Sequence, residues 1–117
     1  MGRLSTHVLD TANGVPAAGV RIELSALENG RWSVVKELRT NADGRTDEPL
    51  LSGEEFRTGR FRLEFEMGDY FRARIAGLPE PAFVDRVTLQ FGVADPDGHY
   101  HVPLLASPWS YSTYRGS

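Results

Sequence analysis

The chain contains no cysteine, which removes thiol nucleophiles, thiolate metal sites and disulfides together. It has a single lysine, Lys36, and its arginines are scattered (Arg57, Arg60, Arg62, Arg72, Arg74) rather than gathered into a patch. Charge of neither sign dominates: 13 basic against 16 acidic residues leave a formal net charge of -3, which offers no footprint for nucleic acid or an anionic membrane. No apolar run approaches the ~20 residues of a membrane-spanning helix. The opening Met1-Gly2-Arg3-Leu4-Ser5-Thr6-His7 lacks the apolar core of a secretory signal, so a cytoplasmic location is expected. There is no Gly-x-Ser-x-Gly elbow, so Ser110, Ser112 and Ser117 give a covalent serine mechanism little support. Internal repeats and low-complexity linkers are also missing. The 117 residues, 40% hydrophobic and 25% charged, read as one domain spanning 1–117, able to bury roughly two thirds of the surface its unfolded chain exposes.

What the sequence does have is alternation of period two. Val20, Ile22 and Leu24 alternate with Arg21, Glu23 and Ser25; Phe61, Leu63, Phe65 and Met67 alternate with Arg60, Arg62, Glu64 and Glu66; Val87, Leu89, Phe91 and Val93 repeat the pattern. Each is a half-buried strand with one wet face. Turn signals stand between them at Asn13-Gly14, Asn29-Gly30, Asp43-Gly44 and Asp97-Gly98. Strands are expected near 4–10, 18–28, 32–40, 60–67, 84–94, 100–106 and 109–115, which makes the fold class all-β, a two-sheet antiparallel sandwich. Ser52-Gly53-Glu54-Glu55-Phe56 reads as one capped turn, with Ser52 as cap and Glu55 three residues on. Asp69–Arg74 reads as one short helix stopped by Gly77 and Pro79. The aromatic run Pro108-Trp109-Ser110-Tyr111-Ser112-Thr113-Tyr114 is costly to leave loose in water, so the end of the chain is expected to dock as a strand and to carry Arg115 and the final carboxylate to a functional surface.

Only three histidines occur, His7, His99 and His101. Residues two apart in a strand share a face, but Asp97-Gly98 immediately precedes His99, which is therefore read as a turn residue and His101 as the strand residue. Histidine is the side chain suited to moving protons near neutrality. Taken singly, each histidine reads equally as a hydrogen-bonded or exposed residue, and together they also fit a three-nitrogen zinc site with an open position for water. Asp95-Pro96-Asp97-Gly98 begins like a calcium loop but lacks the remaining ligands, so it is a turn. Asn41-Ala42-Asp43-Gly44-Arg45-Thr46-Asp47 reads either as a hairpin turn with a solvated arginine or as a turn that aims Arg45 at a carbonyl or an anion, where its fixed fork of donors suits a planar oxyanion.

Four segments together resemble one family over nearly the whole chain: Leu4-Ser5-Thr6-His7-Val8-Leu9-Asp10-Thr11 with Gly14-Val15-Pro16-Ala17; Thr40-Asn41-Ala42-Asp43-Gly44-Arg45-Thr46-Asp47; His99-Tyr100-His101-Val102-Pro103-Leu104-Leu105; and Ser107 to Ser117 with its terminal Tyr114-Arg115-Gly116-Ser117. They are similar to the transthyretin-related 5-hydroxyisourate hydrolases of purine catabolism. The terminal tetrapeptide is the most specific piece, because the hormone-carrying transthyretins share the fold but lack this ending and the active-site histidines. The resemblance implies a transthyretin-like sandwich with one short helix, paired edge to edge into dimers that stack into a homotetramer. It implies hydrolytic ring opening of 5-hydroxyisourate to 2-oxo-4-hydroxy-4-carboxy-5-ureidoimidazoline, with no metal or organic cofactor. Carried residue by residue, it makes His7, Arg45 and His101 catalytic, and His7, Arg45, Tyr114 and Ser117 substrate-binding. Which histidine acts as base stays open at this level. Two other readings are a transthyretin-like small-molecule carrier without turnover and a zinc hydrolase using all three histidines.

Overall fold

The computed structural model, which describes residues 1–116, assembles the alternating segments into two facing sheets. In chain order the described elements are β1 (Arg3–Asp10), β2 (Val15–Pro16), β3 (Arg21–Glu28), β4 (Arg31–Arg39), β5 (Leu51–Ser52), a 3₁₀ turn (Gly53–Glu55), β6 (Gly59–Glu66), α1 (Met67–Arg72), β7 (Arg86–Val93), β8 (His99–Ala106) and β9 (Tyr111–Thr113). One sheet runs β2-β1-β8-β9 with β5 paired to the start of β1, and the other runs β4-β3-β6-β7. The expected two-sheet sandwich with one short helix is therefore present. Its pairings are antiparallel save one: β1 and β8 lie parallel, from Arg3 opposite His99 to Asp10 opposite Ala106. No turn signal could announce that pair, whose hydrogen-bonded residues are 96 apart in sequence.

Strand parity divides the β1/β8 pair into two faces. Leu4, Thr6 and Val8 of β1, with Tyr100, Val102 and Leu104 of β8, turn inward onto Ile22, Leu24 and Ala26 of β3 and Phe61, Leu63 and Phe65 of β6. Each fully buried Leu or Phe contributes about 1.5–3 kcal/mol of transfer free energy. The same parity puts Arg3, Ser5 and His7 beside His99 and His101 on the outer face.

Three local expectations are revised. Ser52 stands at the N-terminus of the 3₁₀ turn but makes no side-chain cap. The helix starts at Met67 rather than Asp69, because the Met67 and Gly68 N–H groups both donate to the Asp85 carbonyl, 3.1 and 3.0 Å away. The terminal strand is interrupted: β9 covers only Tyr111–Thr113, and its register against β8 resumes at a bridge between His101 and Gly116. Pro103 explains the gap. It faces Tyr114 in that register and has no N–H to give, so Thr113 Oγ1 donates to the Pro103 carbonyl instead, at 2.7 Å.

The two edges of the second sheet differ. β4 carries Arg31, Lys36, Glu37 and Arg39 and a bulge at Val35 where its register against β3 shifts, devices that discourage further strand pairing. β7 is regular over its whole length and presents Thr88, Gln90 and Gly92 with no bulge. No helix among the described residues is long and apolar enough to cross a membrane.

Asp10 closes the far end of β1 from inside the core. Its carboxylate accepts from the Ala12 and Asn13 N–H groups (3.0 Å each), Asn13 Nδ2 (2.7 Å) and the Tyr70 hydroxyl (2.8 Å). Burial would raise its pKa, but these donors, Asn13 foremost, outweigh burial and hold it below the ordinary aspartate value. Tyr70 is correspondingly pushed up to about 12, by burial first and then by Asp10. A depressed carboxylate stabilises the fold above its unfolded pKa, about 3.9, and that stability is lost as pH falls through the folded value. Asp10→Ala, which strands these donors, is expected to cost about 3 kcal/mol at pH 7. Thermal unfolding from pH 7 down to pH 2.5 should show a smaller acid-side loss in the variant than in the parent; equal losses would remove Asp10 as the cause.

Candidate active site

The parallel register sets Ser5 directly opposite His101 and puts His7 two residues further along the same face. Ser5 Oγ lies 2.8 Å from His101 Nδ1. His7 Nε2 lies 2.8 Å from the Asp43 carbonyl oxygen. A carbonyl only accepts, so His7 carries its proton on Nε2 there and Nδ1 is the nitrogen left free when the ring is neutral.

Asp43 and Arg45 reach this face on the 41–45 turn. Asn41 Oδ1 accepts from the Asp43 and Arg45 N–H groups (2.9 and 3.2 Å), and the Asn41 N–H donates to the Arg45 carbonyl at 2.7 Å. The Val8 N–H of β1 donates to the Gly44 carbonyl at 2.8 Å, which pins the turn to the strand. Gly44 is needed on two grounds: its φ is +74°, and a Cβ there would sit 2.4 Å from the Val8 carbonyl oxygen. The turn is not a hairpin, because it leads from β4 in one sheet to β5 in the other. That crossing is what sets Arg45 over the outer face of β1 and β8.

His101 is the most constrained member of the group. Burial first, then the charges of Arg45 and His7, lower its pKa below the ordinary histidine value, so the imidazole is neutral at neutral pH. Gly116 clamps its backbone, donating its N–H to the His101 carbonyl at 2.7 Å, and a Cβ on Gly116 would come within 2.9 Å of His101 Cδ2. A pocket of about 330 Å³ opens between Arg3, Ser5, Arg45, His99, Tyr100 and His101. A larger groove of about 430 Å³ lies at the open edge beside β7, lined by Leu89, Phe91, Val102 and Tyr114 among others. Chemistry favours the smaller one, because it brings the His99 and His101 imidazoles together with the Arg45 guanidinium, groups that could move protons and stabilise charge, while His7 stands on the same face of β1 outside its lining.

Of the expected site residues, His7, Arg45 and His101 come together, and Tyr114 does not join them within the chain. Tyr114 is exposed and turned to the edge groove, in the stretch that Pro103 leaves unpaired. Ser117 lies outside the described residues. His99, read from sequence as a turn residue, opens β8 and pairs in register with Arg3; the turn ends one residue earlier, where Gly98 N–H donates to the Asp95 carbonyl. Among the described residues, no three His, Cys, Asp or Glu side chains converge as metal ligands. Ser5, Asn41, Gly44 and Gly116 are contributors that sequence reasoning did not assign. Ser5 had a readable signal, since it shares the face of His7 by parity. Asn41 had one too, as an asparagine heading an Asp-Gly turn.

The model of the HIUase/Transthyretin family matches residues 4–116. A 5-hydroxyisourate hydrolase from Pseudomonas aeruginosa is 58% identical over 117 residues, which are 100% of this chain and 93% of that protein. Among solved structures, an (S)-allantoin synthase aligns with a TM-score of 0.93 and 47% identity over 99% of this chain, which spans only 44% of that longer one. The Klebsiella pneumoniae 5-hydroxyisourate hydrolase aligns with a TM-score of 0.80 and 37% identity, with 100% of both chains covered.

Proposed function

The chain belongs to the HIUase/transthyretin family, and from that premise we propose that it hydrolyses 5-hydroxyisourate, opening the six-membered ring to 2-oxo-4-hydroxy-4-carboxy-5-ureidoimidazoline. The observation that carries this reading is an imidazole held neutral, His101, in one pocket with the guanidinium of Arg45. Hydrolysis of a cyclic amide needs a base for water, a cation for the developing oxyanion and a proton for the leaving nitrogen. Water gives its proton to His101 as its oxygen adds to the carbonyl carbon. Arg45 binds the oxygen on which negative charge collects. Collapse breaks the C–N bond, the imidazolium returns the proton to the ring nitrogen, and the new carboxylic acid ionises into the solvent. His7, oriented by the Asp43 carbonyl, shares the proton work and binds the substrate. The chain's own groups supply every step, so no metal or organic cofactor is required.

The working unit we propose is a homotetramer of one-domain chains spanning 1–117. The regular β7 edge and the apolar groove beside it favour edge-to-edge dimers. Exposed Val15, Trp109 and Tyr111 add apolar surface for further contact between copies. Tyr114 and Ser117 complete the substrate contacts, Tyr114 through the face and hydroxyl of a ring left exposed in one protomer. The proposed location is the cytoplasm.

A coupled spectroscopic assay tests the reading. Urate oxidase generates 5-hydroxyisourate in place, and its disappearance is followed with and without the protein. Decay well above the spontaneous rate is expected. Decay at the spontaneous rate, from protein shown by sedimentation to be tetrameric, would overturn the hydrolase reading and leave a carrier.

A further inference from the structure

We infer that Ser5 is a positioning residue that sets the tautomer of His101, accepting a hydrogen bond from its Nδ1–H so that Nε2 is the bare nitrogen offered to water; the catalytic half of this inference rests on the hydrolase reading. The contacts around the ring support it edge by edge. Nδ1 is taken by Ser5 Oγ at 2.8 Å. The Cβ, Cγ and Cδ2 side is covered by Gly116, so close that an added Cβ would lie 2.9–3.3 Å from those atoms. The atoms left for the pocket are Nε2 and Cε1. Whatever His101 does to a substrate, it does through Nε2.

A serine hydroxyl can donate or accept, so the bond alone does not say where the proton is. The surroundings do. Arg45 and Arg3 line the same pocket, and the charge of Arg45 acts on His101, as does that of His7. A neutral imidazole among cations is favoured when it shows them a lone pair and turns its N–H away. Ser5, directly opposite His101 in the β1/β8 register and within hydrogen-bond distance of Nδ1, is the acceptor that lets it do so. The acidic groups nearby, Asp47 and Glu48, line an adjoining pocket together with both Ser5 and Arg45, but Asp47 accepts from Asn41 Nδ2 and the partner of His101 Nδ1 is Ser5. The arrangement also survives turnover: once Nε2 has taken a proton, Nδ1–H still donates to the same oxygen, so no group has to turn between the base and acid steps.

The two histidines are thus fixed by opposite means. In His7 the carbonyl of Asp43 forces the proton onto Nε2, whereas in His101 the serine holds it on Nδ1. One strand position in the register, Ser5 opposite His101, makes the difference.

Nitrogen-15 spectra of the three histidine rings, recorded at pH 8 on the full protein, its Ser5→Ala variant and its Ser5→Thr variant, read the tautomer directly. In the parent and in Ser5→Thr, Nδ1 of His101 should be the protonated nitrogen and Nε2 the bare one. In Ser5→Ala a substantial Nε2–H population should appear. In the coupled assay Ser5→Ala should lose about 10- to 100-fold in kcat, by analogy with the cost of removing partners that orient ligating histidines, with KM within about twofold, and Ser5→Thr should recover most of it. A parent ring protonated on Nε2, an unchanged His101 spectrum in Ser5→Ala, or an unchanged kcat would each overturn the inference. A parent protein that leaves 5-hydroxyisourate untouched would refute the hydrolase reading, while a tautomer still dependent on Ser5 would uphold its hold on the ring.

Discussion

Replacing Arg45 by alanine is expected to lower kcat for 5-hydroxyisourate by about 10²- to 10³-fold, the usual cost of losing one preorganised oxyanion donor. Arg45 stands where a turn pinned to β1 by Val8 and Gly44 holds it in the same pocket as His101. Arg45→Lys should recover only part of the rate, because a point charge cannot reproduce the planar fork. The variants should also move the pH profile. Burial is the first cause of the lowered His101 pKa and the charge of Arg45 the second. Removing that charge lets the His101 pKa rise toward 6.5, so the acid limb of activity should shift to higher pH in Arg45→Ala and stay near its original place in Arg45→Lys. Rates within threefold of the parent, with an unmoved limb, would show that Arg45 is a solvated turn residue.

The sheet-forming segments were legible because each carries its own period: Phe61, Leu63 and Phe65 of β6 cannot all be buried unless that segment is a strand. The face that holds the site was legible for the same reason, since parity alone puts Ser5 and His7 on one side of β1. The partner of β1 was not. A parallel pair between the first and the penultimate strands has no local signature, and with it went the juxtaposition of Ser5 and His101. The sequence reads His99 as a turn residue because Asp97-Gly98 marks where the turn is but not where pairing resumes. At the end of the chain, the aromatic run predicts a strand and Pro103 breaks it from the opposite side of the ladder, an effect invisible until the register is known. Ser52 illustrates the converse: a capping pattern was present, and the backbone of a single 3₁₀ turn was satisfied without it. The family resemblance supplied what the residues alone left open, the choice of His7, Arg45 and His101 from among the polar side chains.

His101→Gln should be the most damaging single change to the chemistry, with kcat reduced by about 10²- to 10⁴-fold, the range for losing a positioned general base. Glutamine keeps much of the side-chain volume against Gly116 while removing basicity, so folding should be preserved and the loss should lie in the rate. The sign of the pH dependence follows from the protonation state that works. The base is active when neutral, so parent activity is present above the folded pKa of His101 and lost as pH falls through it; because that pKa is lowered, the limb should lie below 6.5. His7→Gln offers the contrast. It removes a group whose Nε2–H is committed to the Asp43 carbonyl, and it also removes one of the charges that depress His101. It should therefore weaken turnover while retaining an acid limb, displaced slightly upward. If instead His101→Gln kept the limb and His7→Gln abolished it, the two histidines would exchange roles, and the base would be the residue oriented by the turn rather than the one held by Ser5 and Gly116.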